Sequence, residues 1–161
     1  MNVKPVEYLI GELLTRRNLH LAVAESCTGG LIGHRITNVP GASDYFLGGA
    51  ITYSDQVKRQ LLGVNSQTLD MHGAVSREVA LEMAQGVRDL LNAEIGLAVT
   101  GIAGPAGGTT EKPVGLTWIG LSTVQTNQAY RYVWSGDRLR NKEQSAEQAL
   151  ELLLEYLQRQ Q

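Results

Sequence analysis

Apolar and polar positions along this chain follow two alternating rhythms. In PVEYLIGELLTRR (5–17), Val6, Leu9, Ile10, Leu13 and Leu14 recur at helical spacing, which predicts an amphipathic helix with Pro5 suited to its first turn. HLAVAES (20–26) has no polar alternation until its end and reads as a short strand buried on both faces. TGGLIGHRITNV (28–39) opens a helix at once, and Pro40 and Gly41 punctuate its end. YFLGGAITYS (45–54) predicts a second strand, and SDQVKRQLLGV (54–64) a helix capped by Ser54 or Asp55 and closed by Gly63.

The same rhythm continues downstream. Ser76 opens a longer helix whose apolar stripe runs through Val79, Ala80, Met83, Val87, Leu90 and Leu91. EIGLAVTGIAG is a core strand running into glycines. VGLTWIGLSTV (114–124) and QAYRYVWSG (128–136) are strands joined by a short turn, hence a hairpin, and RNKEQSAEQALELLLEYLQRQ closes the chain as a helix. Strands alternate with helices first and pair locally later. The fold expected is a three-layer α/β/α sandwich on a mixed, mostly parallel sheet of about five strands, with at least one antiparallel strand. One domain, 1–161, accounts for the whole length, with no repeat and no linker.

Composition narrows the function classes. At 43% hydrophobic and 19% charged residues the chain is globular, and a net charge of −2 without any Lys/Arg run argues against nucleic-acid binding by bulk electrostatics. A small molecule is the expected partner. No apolar run approaches the roughly 18 residues of a membrane helix, and the single cysteine excludes an internal disulfide. The N-terminus is helical in pattern rather than leader-like, so the cytoplasm is the expected compartment and no membrane partner is expected. Glycine, 18 residues of 161, exceeds the roughly 7% of an average chain, and five of these glycines lie between 101 and 115.

In sheets of this kind ligands bind beyond the carboxyl ends of the strands, which directs attention to Ser26, Tyr53 and Thr100. A strand-to-helix turn at Ser26 would expose side chains and aim free backbone N–H groups at one point. Two readings fit ESCTGG equally: a nucleophile with an oxyanion cradle, or a helix cap followed by glycines that permit close packing. Gly29, Gly30 and Gly33 match neither a dinucleotide fingerprint nor a P-loop. Cys27 is the rival nucleophile, favoured if a thiolate forms at the helix start and disfavoured if it is only a small packed residue. His20, His34 and His72 do not converge on a triad in the sequence, nor with one cysteine do they suggest a metal site. Lys58 falls near a helix start, where the positive helix end would lower its pKa and let it serve as base to a serine. The plainer alternative is a solvated surface lysine.

VTGIAGPAGGTTEKPVG (99–115) is a glycine loop after a core strand, suited to close on phosphate or carboxylate through its amides and the hydroxyls of Thr100, Thr109 and Thr110. Arg140, at the start of the last helix, is a candidate phosphate contact, and Arg138 an equal one.

Taken together, AESCTGGLIGHRITNVPGASDYFLGGAITYSDQVKRQLLGV, GAVSREVALEMAQGVR, AVTGIAGPAGGTTEKPVGLTWIG and RLRNKEQSAEQAL resemble the CinA C-terminal domain family, the nicotinamide-nucleotide amidohydrolases or nicotinamide mononucleotide deamidases. The resemblance spans about residues 5–158. Some relatives carry the domain behind a molybdopterin-binding-like domain, for which this chain has no room, so a stand-alone form is expected. The resemblance implies Ser26 as nucleophile, with Tyr53 and Lys58 from the T-Y-S-x-x-x-K motif as its catalytic partners. It also places Thr100 and the basic residue Arg140 at the substrate. The 27–30 turn, with Thr28, Gly29 and Gly30, would supply oxyanion donors, and Gly101, Gly104, Gly107 and Gly108 would hold the ribose phosphate. It implies conversion of nicotinamide mononucleotide to nicotinic acid mononucleotide and ammonia through an acyl-enzyme, without cofactor or metal, in a dimer or larger homo-oligomer. A nucleotide-binding module without turnover and a competence-associated interaction protein are the other classes.

Overall fold

The computed structural model describes residues 4–160. The elements in chain order are α1 (Val6–Arg17), β1 (Leu21–Glu25), α2 (Leu31–Thr37), a 3-10 turn (Ala42–Asp44), β2 (Phe46–Ile51), α3 (Asp55–Leu62) and α4 (Ser66–His72). They continue with α5 (Arg77–Leu91), β3 (Ile95–Gly101), β4 (Leu116–Thr123), β5 (Asn127–Val133) and α6 (Arg138–Arg159). The sheet order is β2-β1-β3-β4-β5. β1 pairs parallel with β2 and β3, and β4 pairs antiparallel with β3 and β5, so four strands point one way and β4 alone is reversed.

Side-chain alternation along the strands builds the two faces unequally. Leu21 and Val23 of β1, Ile95, Leu97 and Val99 of β3 and Ile119 and Leu121 of β4 pack against α1, α2 and α6. On the opposite face Ala22, Ala24 and Ala98 pack with Val79, Met83, Ala84 and Val87 of α5, and Gly96 and Gly120 lie directly beneath that helix. A Cβ at Gly96 or Gly120 would run into the carbonyl oxygens of Ala84 and Ala80 on α5. Absent side chains let helix backbone rest directly on strand backbone, and this holds α5 at a fixed short distance from the sheet.

Local signals set the helix ends. Ser54 and Ser76 accept from the N–H groups of Val57 and Val79, and Asp137 accepts from that of Arg140. Two elements have no counterpart in the hydrophobic pattern. The 3-10 turn is too short to show a period, and α4 buries only Leu69 while Met71 stays exposed, so Asn65 rather than an apolar stripe marks its start. The strand and helix around 28–54 are shorter than the pattern predicts, because polar Thr28 and Thr52–Ser54 belong to the turns that leave the sheet.

Candidate active site

The carboxyl ends of β1, β2 and β3 open onto a cavity of about 160 Å³ lined by Ser26, Cys27, Tyr53, Asp55, Lys58, Ala74, Val75, Thr100, Gly101, Ala103 and Arg138. Ser26 sits one residue beyond β1, fixed by its N–H donating to the Val99 carbonyl on β3. Lys58, on the first turn of α3, reaches it from the other side: its Nζ lies 3.1 Å from Ser26 Oγ, 2.8 Å from the Thr52 carbonyl oxygen and 3.3 Å from that of Tyr53. Two fixed carbonyl acceptors leave the third direction of the amine aimed at the hydroxyl. Such an amine, once neutral, can accept the hydroxyl proton through its lone pair.

Lys58 is 1% exposed, which removes the solvated alternative. Burial pushes its pKa below the ordinary lysine value, and the nearby Asp55 carboxylate partly offsets this. Desolvation is the largest cause of the shift. Burial acts oppositely on the rival nucleophile, pushing the Cys27 thiol up to about 12. A thiolate is thus disfavoured there despite the adjacent helix start.

The residue before the serine determines what the turn can offer. Glu25 is 2% exposed and turns its carboxylate back on α2: Oε1 accepts from the N–H groups of Gly30 and Ile32, and Oε2 from that of Gly33. Gly30 itself takes a φ of 103°, which favours glycine. The start of α2 is therefore filled by an internal anion. The Gly29 N–H is also engaged, donating to the Ser26 carbonyl. This corrects the expectation that the whole 27–30 turn presents donors: Gly29 and Gly30 are taken, and the N–H groups of Cys27 and Thr28 are those left without a hydrogen-bond acceptor among the described residues. The Thr28 side chain is buried with its Oγ1 unpartnered, so its hydroxyl does not open onto the cavity.

Several other expected residues have different surroundings from those inferred. The Tyr53 ring is 64% exposed and its Oη accepts from Arg138 at 3.2 Å; Tyr53 meets Lys58 through its backbone carbonyl. Thr100 donates to the Ala74 carbonyl at 2.9 Å and so braces the 74–75 wall of the cavity. Gly101 lines the cavity, and Gly104 meets it indirectly by accepting from Arg138 at 2.6 Å. Gly107 and Gly108 do not line it. The loop folds on itself, with Thr109 and Lys112 hydrogen-bonded to each other, Gly108 against Val114 and Lys112 bonded to the His72 carbonyl. Arg140 also lies outside: it faces Glu143 and lines a separate cavity between α2 and α6. Two residues of helix advance turn it away from Arg138. None of the histidines lines the cavity; His20 pairs with Glu94, His34 stands on α2 and His72 faces Glu78.

Sequence reasoning gave no functional role to Glu25 or the Ala74–Val75 wall, and to Asp55 only that of a candidate helix cap. A lone carboxylate ending a buried strand was the available sign for Glu25. Nothing local marks the wall, which reaches the cavity only through tertiary packing.

A buried amine and a hydroxyl joined at the strand ends of an α/β/α sandwich define the class of site: a serine–lysine pair in a small cleft. The chain belongs to the CinA family: residues 3–157 match the model of the CinA C-terminal domain. It is 54% identical over 149 residues to a Halothermothrix orenii protein named for competence damage, covering 92% of this chain and 36% of that protein. It is 50% identical over 157 residues to a CinA-like protein of Chloroherpeton thalassium, covering 95% of this chain and 37% of the relative. The chain thus spans about a third of the length of these curated relatives. Among solved structures, a CinA superfamily protein from Klebsiella pneumoniae aligns with a TM-score of 0.92 at 31% identity over 96% of both chains. A competence/damage inducible protein from Agrobacterium tumefaciens aligns at 0.87 and 37% identity over 98% of this chain and 99% of that one. Among the described residues no helix is long and apolar enough to cross a membrane.

Proposed function

We propose that this chain hydrolyses the carboxamide of nicotinamide mononucleotide to nicotinic acid mononucleotide and ammonia. The observation that carries the reading is the 3.1 Å approach of Lys58 Nζ to Ser26 Oγ, with the amine desolvated and fixed by two backbone carbonyls. Neutral Lys58 accepts the Ser26 proton as the Oγ attacks the carboxamide carbon. The N–H groups of Cys27 and Thr28 face the developing oxyanion, each such donor contributing about 3 kcal/mol to the transition state. The C–N bond then breaks, Lys58 returns the proton to the leaving nitrogen, and ammonia departs from an ester on Ser26. Water, deprotonated by the same amine, cleaves that ester and frees the carboxylate with Ser26 restored.

A cavity of about 160 Å³ suits the pyridine ring and leaves the ribose phosphate at the mouth, where Tyr53 and Arg138 stand. The test is ammonia release from nicotinamide mononucleotide by the purified protein, with chelator present. Turnover by wild type that is lost in Ser26→Ala and Lys58→Ala but kept in His72→Ala supports the proposal. Nucleotide binding without ammonia supports a binding module instead.

A further inference from the structure

Asp55 is the one anionic side chain in the cavity lining, and beyond its field at Lys58 the proposed chemistry gives it no step. It stands at the first residue of α3, exposed, one helical turn before Lys58. Ser54 caps the helix through its own hydroxyl, so capping does not occupy Asp55, and it forms no ion pair among the described residues. The other charged groups of the lining are Lys58 and Arg138, both basic. Arg138 is held by the Gly104 carbonyl and the Tyr53 hydroxyl at the mouth.

A pyridine ring substituted on nitrogen by a sugar carries a fixed positive charge. With its carboxamide at Ser26, such a ring lies in the remainder of a cavity whose every charged side chain except Asp55 repels it or contributes nothing to holding it. Acting on that charge, the carboxylate gives the site a preference that shape alone would not, because a reduced ring has nearly the same outline and no charge. We propose that Asp55 is a specificity-determining residue that recognises the cationic ring, so that the site selects N-substituted pyridinium carboxamides over their neutral dihydropyridine forms. This rests on the proposed nucleotide substrate.

The test separates the two claims. Binding of oxidised and of reduced nicotinamide mononucleotide is measured by calorimetry on Ser26→Ala protein, which holds substrate without turnover, and on the Ser26→Ala/Asp55→Asn double variant. The expected result is tighter binding of the oxidised form by the first protein. Asn at 55 should weaken the oxidised form about fivefold, as for a partly exposed ion pair, and leave the reduced form unchanged; Asp55→Glu should retain the preference. Equal affinities in the Ser26→Ala protein, or equal weakening of both ligands by Asn, would overturn the assignment. Charge preference with no ammonia release by wild type would leave Asp55 as assigned and overturn hydrolysis alone.

Discussion

Arg138 donates to the Tyr53 hydroxyl at 3.2 Å, joining the start of α6 to the β2–α3 turn across the mouth of the cavity. The same guanidinium donates to the Gly104 carbonyl, so it ties the β2–α3 turn and the loop after β3 to the start of α6. Arg140, two residues on, shares none of these contacts. Arg138→Ala is therefore expected to raise KM for a phosphorylated substrate about tenfold, the size of a lost charge-assisted hydrogen bond, while Arg140→Ala stays near wild type. Steady-state kinetics of both variants decide it. Equal effects would return Arg140 to the site.

Lys58 gives a prediction about pH with a definite sign. Its folded pKa lies below the ordinary 10.5 because burial disfavours the ammonium. Below the folded value the protein carries the full cost of a buried charge, and that cost fades as pH rises toward 10.5, since the unfolded chain binds more protons in that window. Denaturant unfolding of Lys58→Met should show its largest stability gain relative to wild type at neutral pH and a shrinking gain at alkaline pH. Activity should fall by about 10²–10⁴ in the same variant. Lys58→Arg should not recover it, because a guanidinium keeps its proton.

Cys27 and Ser26 are neighbours with opposite expected behaviour. With its thiol pushed up to about 12, Cys27 should resist alkylation in the native protein at pH 8, and Cys27→Ala should keep activity within a few-fold. Mass spectrometry after iodoacetamide treatment reads the first, an ammonia assay the second. Rapid native labelling would mean that the segment opens.

Glu25 should matter for folding out of proportion to its chemistry. Replacing it by Ala leaves the N–H groups of Gly30, Ile32 and Gly33 without their acceptor at a partly buried helix start. A loss of about 3 kcal/mol or more is expected, since each hydrogen bond to a charged group contributes about 1.5–3. Equilibrium urea unfolding measures it. A loss below about 1 kcal/mol would show that water replaces the carboxylate readily.

Gly120→Ala places a methyl against the Ala80 carbonyl of α5. Overpacking of this kind costs about 1–3 kcal/mol. A lowered Tm with unchanged oligomeric state is the expected result, and an unchanged Tm would mean that α5 can withdraw from the sheet.

Much of the layer architecture was legible because strands and helices differ in period. The buried run Leu21–Glu25 and the amphipathic stripe of α5 each appear directly in the order of residues. Ser26 and Lys58 were legible as a pair through the resemblance, whereas the residues alone left Lys58 open between a base and a surface lysine, since 32 residues separate the two and only the packing of α3 brings the amine back. The turn after Ser26 misled in one respect. Free N–H groups look identical in sequence whether a substrate or an internal carboxylate meets them, and Glu25 settled that through its side chain. Arg138 and Arg140 were inseparable for a similar reason, because the first turn of α6 decides which one points at the cavity.

Gly96 and Gly120 lie directly beneath the Ala84 and Ala80 carbonyls of α5. At those two points no side chain separates the backbones, so the helix cannot move inward there without a clash. Variation in reactivity on this scaffold is therefore expected to come from side chains at the rim rather than from an inward shift of α5.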